Sequence, residues 1–188
     1  PVHVALFGLA VLGDPVSTGL AVAIALAIIG VVTMSWPKQP TEWTPRPIML
    51  GLVSASFFAL SAIGFRRGIL SLNAPNFAVQ ASTTLAIGLT IQVALLTSYL
   101  FLFDRPTLIA LFKAWRPSVK AGFMGAFASQ CWFLAFSLES AAKVRTLALI
   151  EILFAQLISR NLFKQSLASR EAVGIGLVVI GVAVLLNT

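Results

Sequence analysis

The feature that most constrains this chain is its division into apolar blocks of about 18 residues or more, each long enough at 1.5 Å per residue to cross a hydrocarbon core of about 30 Å. Of its 188 residues 59% are hydrophobic and only 10% are charged, against about 25% charged in soluble domains. A water-soluble fold of this size has too little interior to hide so much apolar surface. The bilayer is therefore the solvent, and the fold class that follows is all-α, a polytopic transmembrane helix bundle.

Turn residues mark the breaks between blocks. Pro1 to Leu12 is apolar but too short to span alone, and it reads as a helix cut in its middle. No Met, charged n-region or small-residue cleavage site is present there, so Pro1 does not open a signal peptide. Gly13-Asp14-Pro15 is a turn, and full spans are expected at Val16 to Ser35, Ile48 to Phe65, Asn76 to Phe103, Val119 to Leu138, Val144 to Phe163 and Ala172 to Leu186. Thr107 to Trp115, too short to cross, suits a helix lying in the interface. The proline-rich stretch Pro37 to Pro47 is the one linker.

The net charge of +7 does not indicate nucleic acid, because the 13 Lys and Arg lie between the apolar blocks and form no continuous stripe. Trp36, Trp43 and Trp115 fall at block boundaries, as an aromatic belt requires. One cysteine, Cys131, and one histidine, His3, exclude an internal disulfide and leave no metal cluster. No cofactor is implied, and six scattered acids with one histidine give an enzyme no convergent set to work with. Nine of the 13 cations fall on the side of the Pro37 to Pro47 linker and four on the other. The positive-inside rule then places the linker in the cytoplasm.

An ungapped match relates the two ends of the chain: Ala21 to Val31 lies over Ala172 to Val182, a shift of 151 because 172 minus 21 is 151. The same register sets Asp14-Pro15 over Gln165-Ser166, turn over turn. A second copy beginning near Pro47 would then have a counterpart beginning about 100 residues before Pro1, giving about ten spans in two units of five. An odd number of spans per unit inverts one unit relative to the other. On this reading residues 1–36 end the first repeat, 37–47 link, and 48–188 form the second, with most of the first unit missing.

Leu149-Ile150-Glu151-Ile152-Leu153-Phe154-Ala155, then Leu162-Phe163-Lys164-Gln165, then Gly174-Ile175-Gly176 through Ile180-Gly181-Val182 follow one another in the second unit. Pro1, Leu12-Gly13-Asp14 and Ile29-Gly30-Val31 stand at matching places in the first. In this order and spacing the chain resembles the EamA-type repeat of the drug/metabolite transporter superfamily. Ile152 stands where that repeat has a proline, and Gln165 and Asp14 where it has a terminal glutamate. No mechanistic role can therefore be carried over to that carboxylate. The resemblance implies a secondary transporter or exporter of small metabolites, amino-acid-like or drug-like, working by alternating access in a bacterial inner membrane. In that family both ends of a ten-helix chain are usually cytoplasmic, which the cation count above does not give.

Polar residues inside the apolar blocks are the candidate substrate or coupling residues. A carboxylate near mid-span costs about 2.5–3.5 kcal/mol on insertion scales unless it is solvated, paired or protonated. Glu151 therefore faces either a proton- or cation-coupled site or a structural hydrogen bond between helices. Arg145 anchors the start of the same span at the interface, or turns inward to meet an anionic solute group. Gln156, Gln130 and Gln80 bring amides that both donate and accept, while Ser82, Thr83 and Thr84 are expected to bond back to their own helices. Trp132, within a span, either packs or lines a substrate cavity. Gly174, Gly176, Gly122, Gly125 and Ala126 allow close helix approach, with a homodimer contact as one use. The partners implied are a small-molecule substrate and the lipid bilayer, and the competing reading is a non-transporting membrane structural or assembly protein.

Overall fold

A computed structural model describes residues 1–36, 45–163 and 169–187, without the side chains of residues 157 and 160–163. Most of the expected linker, with Trp43, and the pair Lys164-Gln165 lie outside the described residues. Those described form α1 (Val2–Leu12), α2 (Thr18–Ser35), α3 (Pro45–Ser71), α4 (Phe77–Phe103), α5 (Arg105–Lys113), α6 (Trp115–Leu138), α7 (Ala141–Leu147), a 3-10 turn (Ala148–Ile150), α8 (Glu151–Phe163) and α9 (Ser169–Leu186). Helices suit a bilayer because each satisfies its own backbone polar groups where no water can.

The boundaries follow from local chemistry. Gly13 ends α1 in the left-handed region at φ 69, a conformation that favours a residue without Cβ. Ser17 starts α2 by accepting from the Leu20 amide at 3.1 Å, and Asn76 starts α4 by accepting from Ala78 at 2.8 Å. Asp104 ends α4 and opens α5, its carboxylate accepting from the Thr107 amide at 3.2 Å. None of α5 is buried.

Two compact units are present, one of Pro1–Ile63 with Ser140–Thr188 and one of Gly64–Glu139. The core of the first is built largely from small residues, with Ala23, Ala27, Ala62 and Ala141 wholly buried. Large apolar side chains such as Phe57, Leu102 and Phe103 lie outside, Phe103 at 74% exposure. In water such a surface would aggregate; in a bilayer it is the solvated one. Helices in lipid gain nothing hydrophobic by meeting, so small residues that let backbones approach are what bind them.

The closest approach is the antiparallel seam of α2 and α9. A Cβ added at Gly30 would lie 2.6 Å from the Gly174 carbonyl oxygen and 3.1 Å from the Val178 amide nitrogen. One added at Gly181 would lie 2.9 Å from the Ala23 carbonyl oxygen and 3.2 Å from the Ala27 amide nitrogen. Subtracting 151 from 181, 174 and 178 gives 30, 23 and 27. The same atoms therefore meet on both sides of the seam, in the register that the sequence match supplies. Arg170 closes one end by donating to the Trp36 carbonyl at 2.8 Å.

In the second unit α4 packs on α6, and Gln130 donates across to the Ser82 hydroxyl at 2.9 Å. Arg66 reaches the end of α6, where one guanidinium nitrogen donates to the carbonyls of Phe136, at 2.7 Å, and Glu139. It thereby satisfies acceptors that α6 cannot satisfy itself. Hydrogen bonds from a charged donor contribute about 1.5–3 kcal/mol. Arg66→Met, which keeps the stem and removes the donors, is expected to lower the unfolding midpoint in detergent clearly. Lys120→Met on exposed α6 surface should not, and equal midpoints for the two would refute the capping role.

Three expectations need correction. Among the described residues five helices, α2, α3, α4, α6 and α9, are each long and apolar enough to cross a membrane unbroken. The sixth expected span, Val144 to Phe163, is not one regular helix but α7, a 3-10 turn and α8 in succession. Second, α3 does not close at Phe65 but runs on to Ser71, because Arg66 is held by α6 and nothing before Leu72 breaks the helix. Third, a Cβ on Gly122, Gly125 or Gly176 would meet nothing within 4 Å. Gly174 makes the close approach expected of it, and Gly30 and Gly181 make it too.

Candidate functional site

The interruption between α7 and α8 is where the chain departs most from regular structure inside an apolar segment. Ser140 starts α7, and the buried Thr146 hydroxyl donates back to the Ala142 carbonyl at 2.8 Å. Such back-bonding competes with the helix ladder and favours a bend. The backbone then tightens through Ala148–Ile150 before α8 opens at Glu151. A short 3-10 stretch within a helix commonly marks a functional hinge, and irregular backbone at membrane depth is tolerated where it lines a cavity.

A cavity of about 260 Å³ lies against this interruption. Ala148, Leu149 and Glu151 line it from the break and Arg145 from α7, facing residues that include His3 and Val4 of α1 and Ala55 and Phe58 of α3. The Arg145 guanidinium stands over the Phe58 ring, 4.1 Å from its centroid, a cation–π contact of about 0.5–2 kcal/mol depending on its desolvation. Arg145 and Glu151 also attract one another electrostatically. Glu151 is exposed, in the first turn of α8, where the partial positive charge of a helix N-terminus favours a carboxylate. Both charges thus have compensation nearby, and both side chains line the cavity.

Of the residues singled out by sequence, the structure brings Arg145 and Glu151 together. Arg145 stands over Phe58 and lines the cavity. Gln156 is half-buried on α8 and does not line the cavity. The other three belong to the second unit. Gln80 donates to the Leu72 and Ala74 carbonyls at 2.8 and 3.0 Å, tying the α3–α4 turn, and Gln130 holds Ser82. Trp132 is half-buried with its ring 5.8 Å from that of Phe136. Thr84 bonds back to the Gln80 carbonyl at 2.9 Å, as expected of a hydroxyl in a helix.

Sequence reasoning missed His3 and Phe58. His3 was weighed only as a metal ligand, although a polar ring within an apolar helix was itself a signal. Phe58 carried no signal, since one phenylalanine among 14 becomes distinct only when the fold sets Arg145 over it.

The model of the EamA-like transporter family matches residues 45–187, from the start of α3 through α9, including the interruption with Arg145 and Glu151. No curated protein and no solved structure matches the chain. The matched segment is 143 residues, 187 minus 45 plus 1, of 188. By that extent, and by its apolar helices, the chain belongs to the EamA-like transporter family and is a membrane transporter of the drug/metabolite type.

Proposed function

We propose that this transporter moves small metabolites by alternating access and that the cavity at the α7–α8 interruption is its solute site. The observation that carries the reading is the cavity itself, placed at an interrupted helix and lined by Arg145 and Glu151 among others. Interrupted helices whose ends face bound solute are the common device of secondary transporters. Its volume of about 260 Å³ falls below the roughly 300–1,000 Å³ of sites that take drug-sized ligands, which favours the smaller, amino-acid-like end of the solute range. The repeated contacts of the α2–α9 seam support two inverted units working about it. Glu151 serves as the coupling group, since a carboxyl can gain a proton and lose its charge as the cavity changes sides.

Glu151→Gln tests this. Protein reconstituted into liposomes and challenged with a metabolite panel under proton gradients of either sign should lose gradient-driven uptake in the variant. Elution profile should not change and melting temperature should fall only slightly, through the lost attraction to Arg145, because Glu151 is exposed and glutamine keeps its shape. Undiminished transport would remove Glu151 from the mechanism. Lost stability with unchanged specific transport would make it a structural residue.

A further inference from the structure

We propose that Lys113, Arg116 and Lys120 form a site for the phosphate headgroup of an anionic phospholipid, with α5 lying on the bilayer surface beside it.

The placement follows from the order of the helices. Both α4 and α6 are long and apolar enough to cross a membrane, and residues 104–114 alone join them, so their joined ends lie at one face of the bilayer. At nine residues α5 is about 14 Å long, far too short to cross. It packs against α4 and α6, its neighbours in sequence, and none of its residues is buried. So short a helix gains little from its own hydrogen bonds and needs a surface to lie on. Ile109, Phe112 and Trp115 are all exposed, Phe112 at 72%. Apolar and aromatic side chains among cations, at the end of two spans, suit the boundary between headgroups and acyl chains.

The charges identify the lipid. Within Gly64–Glu139 the acids are Asp104 and Glu139. Asp104 accepts from the Thr107 amide, and Glu139 lies beyond the far end of the 24-residue α6. Arg105 is also engaged: its Nε donates to the Phe101 carbonyl at 2.9 Å and its guanidinium stands 4.6 Å from the Phe101 ring centroid. It fixes the corner between α4 and α5. Lys113, Arg116 and Lys120 are exposed, and among the described residues their side chains make no hydrogen bond or ion pair. Arg116 stands over the Trp115 ring, 5.6 Å from its centroid. Arg116 and Lys120, four residues apart, share one face of α6, and only Ala114 and Trp115 separate Lys113 from Arg116. Two point charges and one planar fork of donors match a phosphate. By the count of spans, α3 and α4 return the chain to the side of the Pro37 to Pro47 linker, which the excess of cations places in the cytoplasm. The cytoplasmic leaflet is the one that carries anionic lipid.

The test uses the full chain in micelles holding equal amounts of phosphatidylglycerol and phosphatidylcholine at physiological ionic strength, with retained lipid counted by mass spectrometry of the intact complex. Wild type is expected to retain phosphatidylglycerol in preference by about tenfold or more. Each of Lys113→Gln, Arg116→Gln and Lys120→Gln should lower that preference about threefold, as befits one exposed, partly screened cation near an anionic headgroup, and the triple variant should bring it near parity. Arg46→Gln, which removes an exposed cation on the same side by the count of spans, should leave it unchanged. Equal losses in Arg46→Gln and the three single variants would mean diffuse attraction to the leaflet and overturn the site. In phosphatidylcholine alone wild type and triple variant should melt together, and phosphatidylglycerol should raise the melting temperature of wild type only; an equal rise in both overturns the site. Sodium phosphate, compared with sodium chloride at equal ionic strength, should not displace the lipid, and displacement would make this a free-phosphate site and overturn the lipid assignment. A wild type that retains both lipids equally leaves α5 to another partner and overturns the proposal.

Discussion

Gly30→Ala is expected to destabilise the protein by about 1–3 kcal/mol, the usual cost of forcing a carbon into a filled interface, and Gly30→Leu to prevent folding. The added Cβ would sit 2.6 Å from the Gly174 carbonyl oxygen and 2.9 Å from a Val178 methyl. One of those neighbours is backbone, so relief requires α2 and α9 to separate along their length. Separation would also strip contacts from Ala23 and Ala27, which are wholly buried in the same seam. The repeated geometry makes a second, sharper demand. Gly181→Ala should cost nearly as much as Gly30→Ala, because its Cβ would meet the equivalent pair of backbone atoms. Gly176→Ala should be neutral or stabilise by up to about 1 kcal/mol, through helix propensity alone, since open space surrounds it. Unfolding midpoints in one detergent rank the four proteins. If Gly30→Ala and Gly176→Ala melt together, the seam is not what holds α2 to α9.

The seam also shows what the sequence could and could not convey. A shift of 151 residues was readable as a match between apolar helices, but apolar helices resemble one another cheaply. The contacts are independent of residue likeness: Ala23 stands where its counterpart is Gly174, and the same carbonyl is met in both. Which glycines would be pressed against a neighbour was not readable. Gly174 and Gly176 lie two apart on one helix, about 200° around its axis at 3.6 residues per turn, and only the partner decides which of them is covered. Gly122 and Gly125 had the right spacing and no partner in the chain.

Span positions were legible because length and apolarity are imposed by the bilayer, whereas the break in Val144 to Phe163 was not. The matching position for a helix-breaking proline holds Ile152, so the sequence offered no conventional cause for a kink. Beside the break the Thr146 hydroxyl bonds back to its own helix and α1 packs against α7. The second of these is a consequence of tertiary placement. The amides of Gln80 and Gln130 mislead for a related reason: a polar group in an apolar block must find a partner, and here a carbonyl and a hydroxyl nearby suffice. A charge is harder to satisfy, and it is Arg145 and Glu151 of the α7–α8 segment that meet at the cavity.

Arg145→Ala is therefore expected to have the largest functional effect of any single change in the cavity. It removes the side-chain cation of the proposed solute cavity, the cation over Phe58 and the positive neighbour of Glu151 together. A hydrogen bond to a charged group is worth about 1.5–3 kcal/mol, which at 1.4 kcal/mol per decade places the rise in KM at about 10–100-fold. Arg145→Lys separates charge from shape. Lysine keeps the positive charge but lacks the planar fork that can both stack on a ring and bond a carboxylate with two donors, so most of the loss should remain. Phe58→Leu should reproduce a smaller part of it by freeing the guanidinium to turn. The double variant Arg145→Ala with Glu151→Gln closes a cycle on the pair: if the two charges act on one another, its melting temperature lies above that predicted by adding the single effects. Full activity in Arg145→Lys, with strict additivity in the cycle, would mean that Arg145 contributes only a diffuse positive charge. The α7–α8 interruption would then need another residue to give it chemical selectivity.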